Sequence, residues 1–356
     1  MNPIAAARLH NQYITRDGHR QPEDVVAWFG AVQAQEYEPA KWGLGLRMRD
    51  GTVNAEIQSA FDRGAILRTH VMRPTWHFVG APDIRWMMEL TGPRVQRTLA
   101  HYARRLELDA RTLSRGLGVI ERALRDRQYL TRPELGERLQ RAKIAAAGTR
   151  LATIVMNAEL EAVICSGPRR ARQFTYALVD ERAPGARRLS RDEALAELTR
   201  RYFRSHGPAT IRDFVWWSGL TTADAKRGLD INKAARQEAG GRTYWSVGPS
   251  SSAMTRDRLV QLLPIYDEYL IAYRDRDAVP HGPTVIPPAR TPVTFQHAIV
   301  IAGQVAGTWR TARGPRAHTV EAAFLRPLTP RERRALAETV SRYQDFQGVP
   351  VKFTVS

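Results

Sequence analysis

The sequence predicts a mainly helical α+β protein built from repeated winged-helix modules, each a trio of helices followed by a short β-ribbon, with a β-rich module at the C-terminal end. Three observations carry this. Helix starts of the form Thr-x-x-acid-apolar recur at Thr131-Arg-Pro-Glu134-Leu and at Thr210-Ile-Arg-Asp213-Phe. Each is followed by one more helical stretch and a short ribbon. Near the N-terminus, three helical stretches precede residues 67–79, whose β-branched and aromatic content favours a strand.

Taken in order, residues 3–14 read as a short helix. Gln21-Pro22-Glu23-Asp24 opens a second, since proline is preset for the first turn and two acids suit the positive end of the helix dipole. Val25, Val26, Phe29 and Val32 recur at helical spacing, and Pro39 marks the end. Gln33 and Gln35 therefore fall in the last turn or just beyond it, where a side chain reaches into a cleft. A helix over 54–63 turns Ile57 and Phe61 inward. Residues 67–79 read as one strand bent at Pro74, with Arg73, Thr75 and His77 on one face and Met72, Trp76 and Phe78 on the other. Pro82-Asp83 begins a further helix, closing a first module over 1–117.

A helix over 118–127, a second capped by Thr131 and Glu134, a third over 151–165 and a basic ribbon over 169–179 make a module over 118–185. The order returns over 186–250: a helix at 191–205, a start at Thr210, a helix at 221–237 and a ribbon at 241–247. Gly248-Pro-Ser-Ser-Ser-Ala then reads as a linker to the last module, 251–356. Within it, 259–273 is rich in Leu and Tyr, and Asp267 with Arg274 is expected to form a buried ion pair organising the module. The proline-rich stretch 280–292 reads as an irregular loop, and 294–301 with 305–310 as a hairpin across Ala302-Gly303-Gln304. Gln296 and His297 offer that hairpin polar tips for a minor groove; otherwise it is a sheet inside the last module. Thr329-Pro330-Arg-Glu332 opens a final helix that stops at Gly348, and 349–355 closes the chain as a strand.

Charge narrows the partner. Fifty-four Lys and Arg against 36 Asp and Glu give a net charge of +18, which calls for a polyanion, and nucleic acid is the first candidate. The five lysines show that a GC-rich genome inflates arginine, but that bias does not explain the net excess of cations. Cys165 is the sole cysteine, which excludes an intramolecular disulfide and a Cys-based zinc site; its apolar neighbours suit a buried structural thiol. No metal or cofactor is expected. The N-terminus lacks the apolar core of a signal peptide and no stretch is long enough to span a bilayer, so a monomeric, cytoplasmic, nucleoid-associated protein is expected.

Five segments carry a family resemblance: Ala31-Val-Gln33-Ala-Gln35, Arg73-Pro-Thr75-Trp-His77, Trp216-Trp-Ser-Gly219, Leu263-Pro-Ile-Tyr-Asp267-Glu-Tyr-Leu and Val305-Ala-Gly307-Thr-Trp309-Arg310. In this order and spacing the chain resembles the AlkZ/YcaQ-like winged-helix DNA glycosylases of bacteria. The resemblance implies tandem winged helices in a C-shaped arrangement around duplex DNA. It also implies a catalytic Gln-apolar-Gln motif, the AlkZ-type pattern rather than the Gln-x-Asp of the YcaQ branch, here Gln33 and Gln35. The AlkZ branch includes antibiotic self-resistance enzymes acting on bulky N-alkylated purines and, in some members, on interstrand crosslinks.

Amides suffice for such a reaction only under one condition. Glycosidic cleavage passes through a sugar with oxocarbenium character. A purine alkylated at N7 or N3 already carries positive charge and leaves without a general acid. What remains is to place a water below the anomeric carbon, which a Gln carbonyl does by accepting its hydrogen bond. Arg73, Thr75 and His77 are candidates for the phosphate backbone or the lesion pocket, with a core His and a rim Arg as the plain alternative. Trp216 and Trp217 suit core packing better than base stacking. The sequence also admits a non-catalytic winged-helix transcription regulator.

Overall fold

Side-chain caps decide where most helices begin. Thr131, Ser190, Thr210, Thr221 and Thr329 each accept the backbone N–H three residues on, and the acid at that position reaches back to the cap's own N–H. The computed structural model describes residues 2–248, 258–276, 278–279, 295–314 and 316–355; the expected linker and proline-rich loop lie outside them. The N-terminal elements are α1 (Pro3–Asn11), α2 (Pro22–Phe29), β1 (Ala31–Gln33), α3 (Tyr37–Gly45), α4 (Asn54–Asp62), β2 (Ile66–His70), β3 (Trp76–Gly80) and α5 (Ile84–Arg105). Then come α6 (Ala110–Leu124), β4 (Leu130–Thr131), α7 (Arg132–Arg141), α8 (Gly148–Leu160), β5 (Ile164–Ser166), β6 (Thr175–Leu178) and α9 (Val179–Arg182). A second helical group follows as α10 (Arg191–Ser205), α11 (Ile211–Ser218), α12 (Thr222–Ile231), β7 (Ala235–Ala239) and β8 (Arg242–Ser246). The C-terminal part holds β9 (Val260–Leu263), α13 (Glu268–Ile271), β10 (His297–Ile301), β11 (Gln304–Arg313), β12 (His318–Phe324), α14 (Pro330–Gln347) and β13 (Val351–Val355).

Several of these differ from the sequence reading. The glutamine motif is not helical: Gly30, at φ 89°, takes the chain out of α2 and straight into β1. Pro39 does not end a helix but sits in the first turn of α3, where its missing N–H costs nothing. Residues 67–79 are not one bent strand. They form the antiparallel pair β2 and β3 around a turn in which Met72 takes φ 64°, so strict alternation does not run across it. The helix expected over 151–165 stops at Leu160, and the one over 221–237 stops at Ile231, because the residues beyond are recruited into strands pairing with β6 and β8. The C-terminal hairpin is interior to a five-stranded sheet of order β13-β12-β11-β10-β9, with β13 parallel to β12.

Buried apolar side chains link distant parts of the chain. One cluster joins residues 5–61 to 260–346, a second joins 67–95 to 194–229, and a third lies within 108–178. Ion pairs reinforce these seams. Asp83, before α5, accepts from both ends of the Arg201 guanidinium at 2.6 and 3.1 Å, from Trp86 Nε1 at 3.0 Å and from Arg187. Among the described residues no helix is long and apolar enough to cross a membrane.

Burial alone would raise the Asp83 carboxyl, but its hydrogen bonds and the Arg201 charge outweigh burial and hold it below the usual carboxylate value. Its contribution is therefore present above the unfolded-state value of about 3.9 and is lost as pH falls through the lower folded-state value. In urea titrations Asp83→Asn should cost about 1–3 kcal/mol at pH 7, since Arg201 loses one carboxylate partner and keeps Glu197 at 2.7 Å, with a gap that narrows steadily below about pH 4. A gap independent of pH would contradict this account.

Candidate active site

β1 is the edge of a three-stranded sheet of order β1-β3-β2, and the register places Gln33 opposite His77, which in turn lies opposite Thr69. Directly paired residues of adjacent strands share a face, so one rung carries three polar side chains. His77 is fully buried, its Nδ1–H donates to Thr75 O at 2.9 Å, and its Nε2 has no protein partner. Burial, reinforced by the nearby Arg73, pushes this ring down to about 3. It is a neutral imidazole with an unused acceptor. Thr69 Oγ1, Thr75 Oγ1 and Arg73 Nε and Nη2 are likewise buried without a protein partner. Buried polar groups are rarely left so, and four such residues on one hairpin mark a place shaped for something other than protein.

The glutamines are held hard at the backbone and loosely at the side chain. Gln33 N–H donates to Glu268 Oε1 at 2.7 Å, and Ala34 N–H to Trp76 O at 2.8 Å. Arg68 closes the other side, with Nε on Ala34 O at 2.9 Å and Nη2 on Gln35 O at 3.2 Å. Its guanidinium lies over Trp76 at 4.4 Å and Phe174 at 4.6 Å, and burial lowers it to about 10, still a cation at neutral pH. The side-chain carbonyls take long bonds, Gln33 Oε1 from Gln35 N–H at 3.2 Å and Gln35 Oε1 from Trp76 N–H at 3.3 Å. Neither amide nitrogen is bonded to protein among the described residues. Gln33 is buried and Gln35 partly exposed, so the motif runs from the interior to its surface.

Glu268 itself is 1% exposed. Beyond Gln33 it accepts from Trp217 Nε1 at 3.0 Å and from His206 Nε2 at 3.2 Å. Burial opposes its ionisation, but the His206 and Gln33 donors outweigh burial and hold the carboxyl below the usual value. Burial pushes His206 down as well, against the pull of Glu268. His206 Nδ1 lies 2.8 Å from Ser205 Oγ, whose hydroxyl donates to Arg201 O at 2.7 Å.

Gln33, Gln35, Arg73, Thr75 and His77 thus come together on one hairpin and its neighbouring strand. The turn between β2 and β3 is pressed onto the end of α11: Gly219 has φ 70°, and a Cβ there would sit 2.3 Å from Met72 O. Trp217 is core, whereas Trp216 is partly exposed between the Arg73 and Arg274 guanidinium groups, 5.8 and 5.4 Å away. Gln296 and His297 do not form a projecting tip. His297 Nδ1 accepts Ile265 N–H, its ring packs on Trp309, and the hairpin turn at Gly303 is buried and bonded by Tyr269 Oη. Asp267 does not pair with Arg274. It caps α13 and binds Arg47 through both oxygens at 2.8 Å, while Arg274 is exposed and gives its backbone N–H to Asp213. The sequence reading missed Arg68 and Glu268. A charged residue in the apolar runs 66–71 and 268–273 was the available signal.

Arg68→Lys keeps the charge but loses the fork that spans two carbonyls. A hydrogen bond to a charged group contributes about 1.5–3 kcal/mol, so amide exchange at Ala34 and Trp76 should quicken about 10- to 100-fold. Unchanged protection, read by NMR, would remove Arg68 from the clamp.

A family model described as DNA glycosylase AlkZ-like matches residues 26–346, from α2 to the end of α14. A curated relative from Streptomyces sahachiroi, an interstrand DNA cross-link repair glycosylase, is 22% identical over 329 residues, with 86% of each chain covered. The solved structure of the Streptomyces sahachiroi DNA glycosylase AlkZ matches with a TM-score of 0.81 at 19% identity, covering 100% of this chain and 99% of that one; at such identity the likeness speaks to the fold. The family match spans the glutamine strand and the residues that close around it, and the chain belongs to the AlkZ-like DNA glycosylase family.

Proposed function

We propose that this glycosylase is monofunctional and hydrolyses the N-glycosidic bond of purines made cationic by alkylation at N7 or N3 in duplex DNA. The observation that carries the reading is the state of the motif. Gln33 and Gln35 have fixed backbones, free amide nitrogens and no titratable base bonded to either side chain among the described residues. Each carbonyl keeps a lone pair for a water while its other bond is long, and the amide N–H groups remain for the sugar or phosphate. Near neutral pH such a site orients water but does not deprotonate it, so it acts only on a base that departs on its own charge. Lys41, the nearest lysine in sequence, is buried and bonded to Gln58 and Glu38, which argues against Schiff-base lyase chemistry.

His77 Nε2, Thr75 Oγ1 and Arg73 are the groups we assign to the lesion pocket and its flanking phosphate. In this reading β1 to β3, α6 to β6 and α10 to β8 act as winged-helix modules, with boundaries near 117, 185 and 250, curving as a C around the duplex. The name of the Streptomyces sahachiroi relative supports including interstrand crosslinks in the proposed substrate range. Membership of a glycosylase family leaves no support for the transcription-regulator alternative.

Gln35→Ala should slow single-turnover release of N7-methylguanine about 100-fold or more, since misplacing the attacking group costs this much, while affinity for the duplex changes little. Full activity in the Gln33→Ala, Gln35→Ala double variant, measured by mass spectrometry of released base, would refute the assignment. Affinity should fall steeply with salt through counterion release.

A further inference from the structure

The buried charges behind the glutamine strand do not all pair. Arg8 lies 3.8 Å from Asp213, and Arg47 binds Asp267 at 2.8 Å. That leaves Arg73, which forms no ion pair with any described residue, and Glu268, whose one ionisable contact is His206 Nε2 at 3.2 Å. Oε1 takes the Gln33 peptide N–H, while Oε2 takes the Trp217 indole and His206, so the oxygen on the motif side meets no cation. A carboxylate whose Oε1 meets only a peptide N–H keeps negative charge on that side, and the low-dielectric interior screens its field less than water would. Its Oε1 stands 2.7 Å from the Gln33 nitrogen.

The reaction moves charge in one direction. The substrate arrives with its positive charge on the purine, and at the transition state that charge has passed to the sugar. A fixed anion on the sugar side favours the transfer, whereas one beside the base opposes it. We infer that Glu268 is the positioning residue of this site: it sets the plane of the Gln33 peptide and places a permanent negative charge behind the point where the sugar becomes cationic. This rests on the glycosylase reading and adds a residue distant from the motif in sequence. It touches no reacting atom and is not a base.

Glu268→Gln is the direct test, because its amide oxygen still accepts the Gln33 N–H while the charge is gone. Single-turnover release of N7-methylguanine should fall about 30-fold or more, with affinity for undamaged duplex within about threefold of wild type. Affinity for a duplex carrying a cationic pyrrolidine in place of the sugar should weaken about tenfold or more, while that for its neutral tetrahydrofuran counterpart should not change. Glu268→Asp, which keeps the charge one methylene further back, should recover part of the loss. A cleavage rate for E268Q within about threefold of wild type overturns the inference and leaves the glycosylase reading standing. Wild-type protein that releases no base from any alkylated duplex overturns both. Should E268Q fail to fold, the wild type decides alone: it should bind the pyrrolidine duplex about tenfold or more tightly than the tetrahydrofuran one, and equal affinities overturn the inference.

Discussion

The Gln33 amide and the Glu268 carboxylate, 235 residues apart in the chain, meet in a hydrogen bond on which the rest of the site depends. An isolated carboxylate in an apolar interior costs several kcal/mol, so Glu268 is tolerable only when β1, α11 and the end of α10 all deliver their donors to it. The core follows suit: apolar side chains of the first 61 residues pack with those of β9 to α14. Just past the end of α3, Arg47 meets Asp267, the residue before Glu268.

A site organised this way is polar without being reactive. His77 is a neutral imidazole with an open acceptor, Arg68 is committed to two carbonyls, and the other free donors and acceptors belong to amides, two threonines and a guanidinium. In the proposed reaction such groups position a water and leave bond breaking to a substrate that is already charged.

Local chemistry was legible in the residues themselves. The caps at Thr131, Thr210 and Thr329 and the stop at Gly348 involve partners at most a few positions apart, and a three-residue spacing is enough to write them down. The helix at 191–205 follows from the same rule, with Ser190 and Glu193 as its capping box. Gln33 and Gln35 were recognisable only as a pattern, since their composition alone suits a solvated helix end.

What the local pattern does not encode is who answers a buried charge. Asp267 and Arg274 are neighbours in sequence, yet Asp267 is answered by Arg47, just past the end of α3, because a capping aspartate points toward the helix axis and whatever packs beneath it. The turn at 71–75 looked like a bend in one strand, and only its docking against Gly219 explains why the chain reverses there and brings His77 beside Gln33. Arg68 and Glu268 entered the site for the same cause. Periodicity and capping are set by neighbours along the chain, so the amino-acid order carries them unaided. Desolvation of a charge is set by everything packed around it, and that is decided only when the distant elements close.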